Sequence, residues 1–343
     1  DSHGDTKLTG EHSLYLNVVQ IDRTVINSPG IHKNNPLHSR KVGRRVSAFP
    51  DFWDEDWRYF WACDIARFGL ETGKELERYK ELCKPCSLDL IETVDNLSGG
   101  LDVFWLKPRG VGASWKGGAK ANYNQFLVPD SNTFIMAETE PYLIGDGIFD
   151  KFNKIRSFIQ GKCWFLSKQF YKESLSEFEY STGLKKNVGG GTITEGFSST
   201  VSGLIIDAKP GKARGKRGDI LFEESGSFPS MDDVWNVTEA SVNEYGVIYG
   251  QRRAFGTGGD KGGNFEFMEK AMADPAAYRL IQCNNPYDEF EKPISFFTNC
   301  YTNITDKDEN GNSLKDVAKQ KFDKIEAELQ KGEDITRLDK HKA

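Results

Sequence analysis

One segment restricts the fold of this chain more than any other. The apolar run Val103-Phe104-Trp105-Leu106 passes directly into Lys107-Pro108-Arg109-Gly110-Val111-Gly112-Ala113-Ser114, and from there into a helix-compatible stretch, Ala113 to Phe126. A short, continuously apolar strand that feeds a glycine turn and a helix belongs in a sheet covered on both faces. The alternation continues downstream. Pro129-Asp130-Ser131 is a turn, Thr133 to Ala137 a second strand, Phe149 to Ile159 a helix, and Gly189 to Gly203 a strand, turn and strand. Ile220-Leu221-Phe222 is a further strand, and Gly246 to Phe255 contains another. Upstream, the aromatic-rich Asp51 to Arg67 and the following Glu71 to Tyr79 read as helical, while the charged end carries a helix at Val317 to Gln330. The expectation is an α/β fold with a mostly parallel central sheet flanked by helices.

Composition narrows what such a fold can do. The 343 residues, 38% hydrophobic and 28% charged, suffice for one large domain or two ordinary ones with a true core. Lys and Arg number 45 against 51 Asp and Glu, a net charge of −6, so nucleic-acid contact would have to come from local patches. One such stretch runs through an irregular polar arm over residues 1–48, from His32 and Lys33 to Arg44 and Arg45; a solvated tail is the default reading, and docking to DNA or a partner the alternative. No apolar run reaches the roughly eighteen residues of a membrane span, and Asp1 to Gly10 lacks the pattern of a signal peptide. Six cysteines are ordinary intracellular usage, and Cys83-x-x-Cys86 has no second pair to complete a zinc site. The five histidines (His3, His12, His32, His38 and His341) all lie near the ends. Central chemistry must therefore rest on carboxylates, lysine, arginine, backbone amides and a metal ion rather than on a Ser-His-Asp or Cys-His arrangement.

The loop after the first strand approximates the phosphate-binding pattern Gly-x4-Gly-Lys-Ser/Thr. Gly112 and Ser114 fall at the right spacing, Lys107 stands where the first glycine belongs, and Ala113 occupies the usual lysine position. Glycine-freed N–H groups over 109–114 curl around phosphate oxygens, and the following helix N-terminus favours the same charge. Ser114 offers the hydroxyl for Mg²⁺, and Lys107 offers the cation from the strand side of the loop. A tight turn with a solvent-exposed lysine is the alternative.

Some 110 residues later, Ile220-Leu221-Phe222 ends in Glu223-Glu224. One carboxylate suits Mg²⁺ and the next suits a lytic water, provided the strand ends there, because strand side chains alternate. The alternative is two solvated glutamates. Lys209, Lys212, Arg214, Lys216 and Arg217 precede the strand, and Arg214-Gly215 is where a cation for the cleaved anhydride is sought, against a plain basic loop. Thr257, between Gly256 and Gly258-Gly259 at the end of the last strand, suits a γ-phosphate sensor or a simple glycine turn.

In this order the three pieces resemble the P-loop NTPase (ASCE/RecA-like) domain of large terminase subunits, the motors that package DNA into tailed-phage capsids. The resemblance covers about residues 50–290. Lys107-x4-Gly112-Ala113-Ser114 resembles a deviant Walker A with its lysine at the loop's start, and Arg109 matches an arginine found in such loops. Ile220 to Glu224 is similar to a Walker B strand, with Glu223 in place of the usual Asp. Gly256-Thr257-Gly258-Gly259 resembles the coupling motif, and Arg214-Gly215 the arginine finger that reaches a neighbouring subunit.

The resemblance implies an ATPase translocating double-stranded DNA, with ATP and Mg²⁺ as ligands. Lys107, Arg109, Gly110, Val111, Gly112, Ala113, Ser114 and Thr257 would bind nucleotide. Ser114 and Glu223 would hold the metal, and Glu224 and Arg214 would act in catalysis. It implies an arm over 1–48, an ATPase domain over 49–290, and a linker or subdomain over 291–343 leading to an absent nuclease domain, hence no nuclease activity in this chain. Its partners would be double-stranded DNA, the portal protein, the small terminase subunit and further copies in a ring on the procapsid. The location would be the host cytoplasm. Trp57 and Arg58 stand where the family's adenine motif falls, with core packing as the alternative. A helicase and a non-hydrolysing capsid-docking protein with a decayed loop are the rival functions.

Overall fold

The computed structural model describes residues 8–27, 42–51, 53–70, 93–257, 265–285 and 292–299, with positions 90, 321 and 324. Cys83 and Cys86, the helices expected at Glu71–Tyr79 and Val317–Gln330, Gly258 and Gly259, and His3, His32, His38 and His341 lie outside the described residues.

Strand β3 (Val103–Leu106) anchors a seven-stranded sheet that also contains β4 (Asn132–Ala137), β5 (Phe170–Ser174), β6 (Glu179–Thr182), β9 (Thr200–Ile205), β10 (Asp219–Phe222) and β13 (Arg252–Gly256). The spatial order is β3-β13-β10-β4-β9-β6-β5. The first five strands are parallel, and β6 and β5 extend the sheet antiparallel. Within these strands the side chains divide between two cores. Val103, Trp105, Ile135, Ala137, Leu221 and Phe255 enter one core, while Phe104, Met136, Ile220, Phe222 and Ala254 enter the other. Both faces are buried, which is why Val103–Leu106 and Ile220–Phe222 read as unbroken apolar runs.

The first face is covered by α1 (Gly10–Asn17), α2 (Asp54–Phe68), α4 (Ala113–Leu127) and α5 (Ile148–Lys162), and the second by α6 (Met231–Val242) and α7 (Glu266–Ala273). A short α3 (Val94–Ser98) follows α2. Among the described residues, no helix is long and apolar enough to cross a membrane.

The stretch expected to be an irregular arm is instead ordered in two places. Helix α1 is capped by the Thr9 hydroxyl, which accepts from His12 N–H, and β1 (Ile21–Asn27) pairs antiparallel with β2 (Val42–Ala48). The helix is held because Glu11 bonds Lys120 of α4 at 2.7 Å and Arg253 of β13 at 2.6 Å, while Leu14 and Tyr15 are buried. The two partners of Glu11 lie 109 and 242 residues away along the chain. Residues 292–299 run beside β3, where Trp105 Nε1 donates to Thr298 Oγ1.

Two hairpins stand off the sheet. In one, β7 (Leu184–Val188) pairs with β8 (Gly191–Glu195), and every strand residue is exposed. The other is β11 (Asn243–Glu244) with β12 (Val247–Ile248).

Helices α4 and α5 cross closely at Gly117 and Gly118. A Cβ on Gly118 would stand 2.8 Å from the backbone nitrogen of Phe152. Alanine intrinsically favours a helix over glycine by about 1 kcal/mol, but backbone cannot step aside as a side chain can. Gly118→Ala is therefore expected to destabilise the protein by about 1–3 kcal/mol, read as a lower denaturation midpoint at unchanged m.

Candidate functional site

Ligands of open parallel sheets settle outside the carboxyl ends of the strands, and here the candidate residues converge at that edge. β3 ends at Leu106; Lys107 N–H then donates to the Gly256 carbonyl at the end of β13, 3.1 Å away. The chain turns through Gly110 and Gly112, with φ of 85° and 70°, a region that favours glycine. Gly112 caps α4 without any side-chain hydrogen bond, which leaves the first-turn N–H groups of Ala113, Ser114 and Trp115 aimed at the loop.

The two acids arrive from β10, which ends at Phe222. Glu223 continues the alternation onto the α4/α5 face. Its Oε1 accepts from Ser114 Oγ at 2.9 Å and its Oε2 from Ile148 N–H at 2.6 Å, at the start of α5. Glu224 adopts φ 45°, ψ 65°, a left-handed conformation that costs a non-glycine residue free energy. That turn breaks the alternation, and Glu224 Oε1 meets Lys107 Nζ at 3.0 Å. Adjacent glutamates thus serve one edge because the strand has ended.

Lys107 is 8% exposed, with its ammonium group also 5.3 Å from the centre of the Phe255 ring. Burial, the largest influence, pushes the Glu223 carboxyl up to about 8; the Ser114 hydrogen bond opposes the rise and the Glu224 charge adds to it.

A cavity of about 160 Å³ opens over the loop, lined by Lys107, Gly110, Val111, Gly112, Ala113, Ser114 and Trp115. Its other wall, formed by Asp146, Lys151, Asp22 and Arg45, was not foreseen from the sequence. The local signal that could have found Lys151 is the Gly117-Gly118 pair, which calls for a second helix crossing at α4. Glu223 and Glu224, which bond the lining residues Ser114 and Lys107, lie outside this lining, as do Arg109, Arg214 and Thr257. Arg109 and Arg214 are exposed, Arg214 directly after a 3-10 turn at Pro210–Ala213, and Thr257 follows β13 beside the Lys107 backbone. Trp57 is buried, edge-on to Trp61, and Arg58 bonds Glu55 at 3.0 Å; both belong to the core packing of α2 rather than to this cavity.

The donor set pairs hard oxygen atoms with positive charge. Ser114 and Glu223 hold hard oxygen atoms side by side, and glycine amides with two ammonium groups, those of Lys107 and Lys151, line the cavity on which Ser114 opens.

The glycine loop and paired acids sit in an α/β fold whose mostly parallel seven-stranded sheet is flanked by helices, with one strand, β13, between the loop strand and the acidic strand. No family model and no curated protein matches the chain. Among solved structures it is similar to large terminase ATPase domains. An ATPase-domain mutant from Thermus phage P74-26 gives a TM-score of 0.42 at 12% identity over 70% of this chain and 88% of that one. The ATPase domain of the same phage gives 0.35 at 16% identity, over 52% and 68%. The large terminase of a second thermophilic bacteriophage gives 0.37 at 9% identity, over 52% and 39%.

Proposed function

We propose that this chain is the ATPase motor of a large terminase subunit, coupling ATP hydrolysis to translocation of double-stranded DNA into a viral procapsid. The observation that carries the proposal is the pair of contacts Ser114–Glu223 and Lys107–Glu224 at the mouth of a glycine loop. They bond one acid to a hydroxyl, and a second acid to a cation, that both line the cavity.

In this proposal Lys107 binds the β- and γ-phosphates, helped by the Arg109 side chain and the amides of Gly110, Val111, Gly112 and Ala113. Ser114 and Glu223 would hold Mg²⁺, which when bound neutralises charge on the phosphate oxygens. Glu224 orients the attacking water and takes its proton on a carboxylate oxygen. Thr257, next to the Lys107 backbone, reports on the γ-phosphate. Arg214, exposed on its turn, reaches the site of a neighbouring copy, so the assembly is a ring seated on a portal protein and fed DNA by a small subunit. Local positive patches on the phosphate backbone are enough for a motor that need not read bases, which agrees with the net acidic charge.

Turnover of Mg-ATP by the full chain is expected to rise with duplex DNA and not with single strands. Lys107→Ala is expected to lower that turnover by about 10²-fold or more, the usual effect of losing one preorganised charge contact. Single-strand stimulation with duplex unwinding would point to a helicase, and a Lys107→Ala protein as active as its parent would remove the role given to the loop.

A further inference from the structure

We propose that Lys151 is a second phosphate-binding residue of this cavity, supplying from the neighbouring helix the ammonium group that the Ala113 position lacks. The proposal rests on the nucleotide assignment above and adds a residue to it.

Helix α5 is fixed against the phosphate loop by two contacts independent of Lys151's own charge. Ile148 N–H, in its first turn, is bonded to Glu223 at 2.6 Å, and Gly117 and Gly118 of α4 let the Ile148–Phe152 segment approach to backbone contact. One turn in from Ile148, Lys151 is delivered beside the first turn of α4. Its ammonium group lies 5.1 Å from the centre of the Trp115 ring and forms part of the cavity wall facing Ser114. The side chain is 6% exposed, an expensive place for an ammonium group unless anions meet it.

The nearby anions are unevenly committed. Asp150 is held by Lys154 at 3.0 Å and stands 3.6 Å from Lys151; Asp22, on the same wall, pairs with Lys154 at 3.7 Å. Asp146 pairs closely with Lys151, but its side chain is 79% exposed. A solvated carboxylate is a replaceable counter-ion, since exchanging it for water loses little. A phosphate in the cavity would exchange Asp146 for a multiply charged acceptor, with Asp146 returning to solvent. The two cations then grip from opposite sides, Lys107 from the strand end and Lys151 from the helix.

The test is equilibrium binding of ATP and of adenosine, each with Mg²⁺, to the full chain and to three variants. Lys151→Met is expected to weaken ATP by about tenfold or more while leaving adenosine unchanged, and Lys151→Arg to stay near the parent. Asp146→Asn, which removes the competing carboxylate at an exposed position, is expected to tighten ATP. If the parent binds ATP and neither Lys151→Met nor Asp146→Asn alters its affinity, Lys151 has no such role and the nucleotide assignment survives. A parent that binds no ATP defeats both. Should Lys151→Met fail to fold, Asp146→Asn decides alone: tighter ATP binding upholds the proposal and unchanged binding overturns it.

Discussion

Replacing Glu224 with Gln is expected to lower ATP turnover by about 10²–10⁴-fold, the range of a lost general base, while ATP binding becomes tighter. The two effects have separate causes. Glutamine keeps the shape of the side chain in its left-handed backbone setting, so the crevice is preserved, but it cannot take a proton from water. It also no longer neutralises Lys107, whose ammonium group now spends its charge on Glu224 at 3.0 Å. Freed of that partner, Lys107 is available to phosphate without displacing anything. Steady-state turnover paired with equilibrium binding separates the effects. Parent-like turnover would strip Glu224 of its role, and weaker ATP binding would show that the Lys107 contact does not compete with the ligand.

The second large effect is on stability in acid and centres on α1. Burial would raise the Glu11 carboxyl, but Arg253 and Lys120 outweigh it and bring it down to about 2; burial, then the Lys116 charge, brings His12 down to about 4. Both groups bind protons more readily unfolded than folded, so both withdraw stability as pH falls. His12 does so from about 6.5 down to about 4, and Glu11 from about 4.5 down to about 2. Each shift is worth up to about 3 kcal/mol at ~1.4 kcal/mol per unit. Glu11→Gln is expected to cost about 3 kcal/mol at neutral pH, because Arg253 and Lys120 remain buried with one anion fewer. It is also expected to flatten the pH dependence of the denaturation midpoint below 4.5. A variant as stable as its parent at pH 7, with the same acid limb, would mean α1 is not held through this residue.

What the sequence discloses and what it hides follow from where each interaction lies along the chain. Val103–Leu106 and Ile220–Phe222 are legible because burial on both faces leaves no polar interruption, and the loop between β3 and α4 is legible because its backbone needs glycine at 110 and 112. Helix α6 escapes notice even though Asp232 and Asp233 in its first turn are an available start signal. The antiparallel β5 and β6 are missed because their residues are mixed in burial and carry no clean period. Helix α1 is hidden for another reason: its anchor is an ion pair with a strand 242 residues further on. At the site, spacing alone could nominate Lys107, Ser114, Glu223 and Glu224, which the structure brings into two bonded pairs. Lys151 depends on a helix crossing that the Gly117-Gly118 pair signals, but the pair does not say which segment crosses there.

The β7–β8 hairpin offers a practical handle. Gly189 and Gly190 at its tip have nothing within 4 Å of where a side chain would begin, and its strand residues are all exposed. Exposed tips of this kind accept added residues without disturbing the framework beneath. A short peptide label, or a dye attached to a residue inserted between these glycines, would ride outside the sheet, leaving the cavity intact, and would let single molecules be located optically.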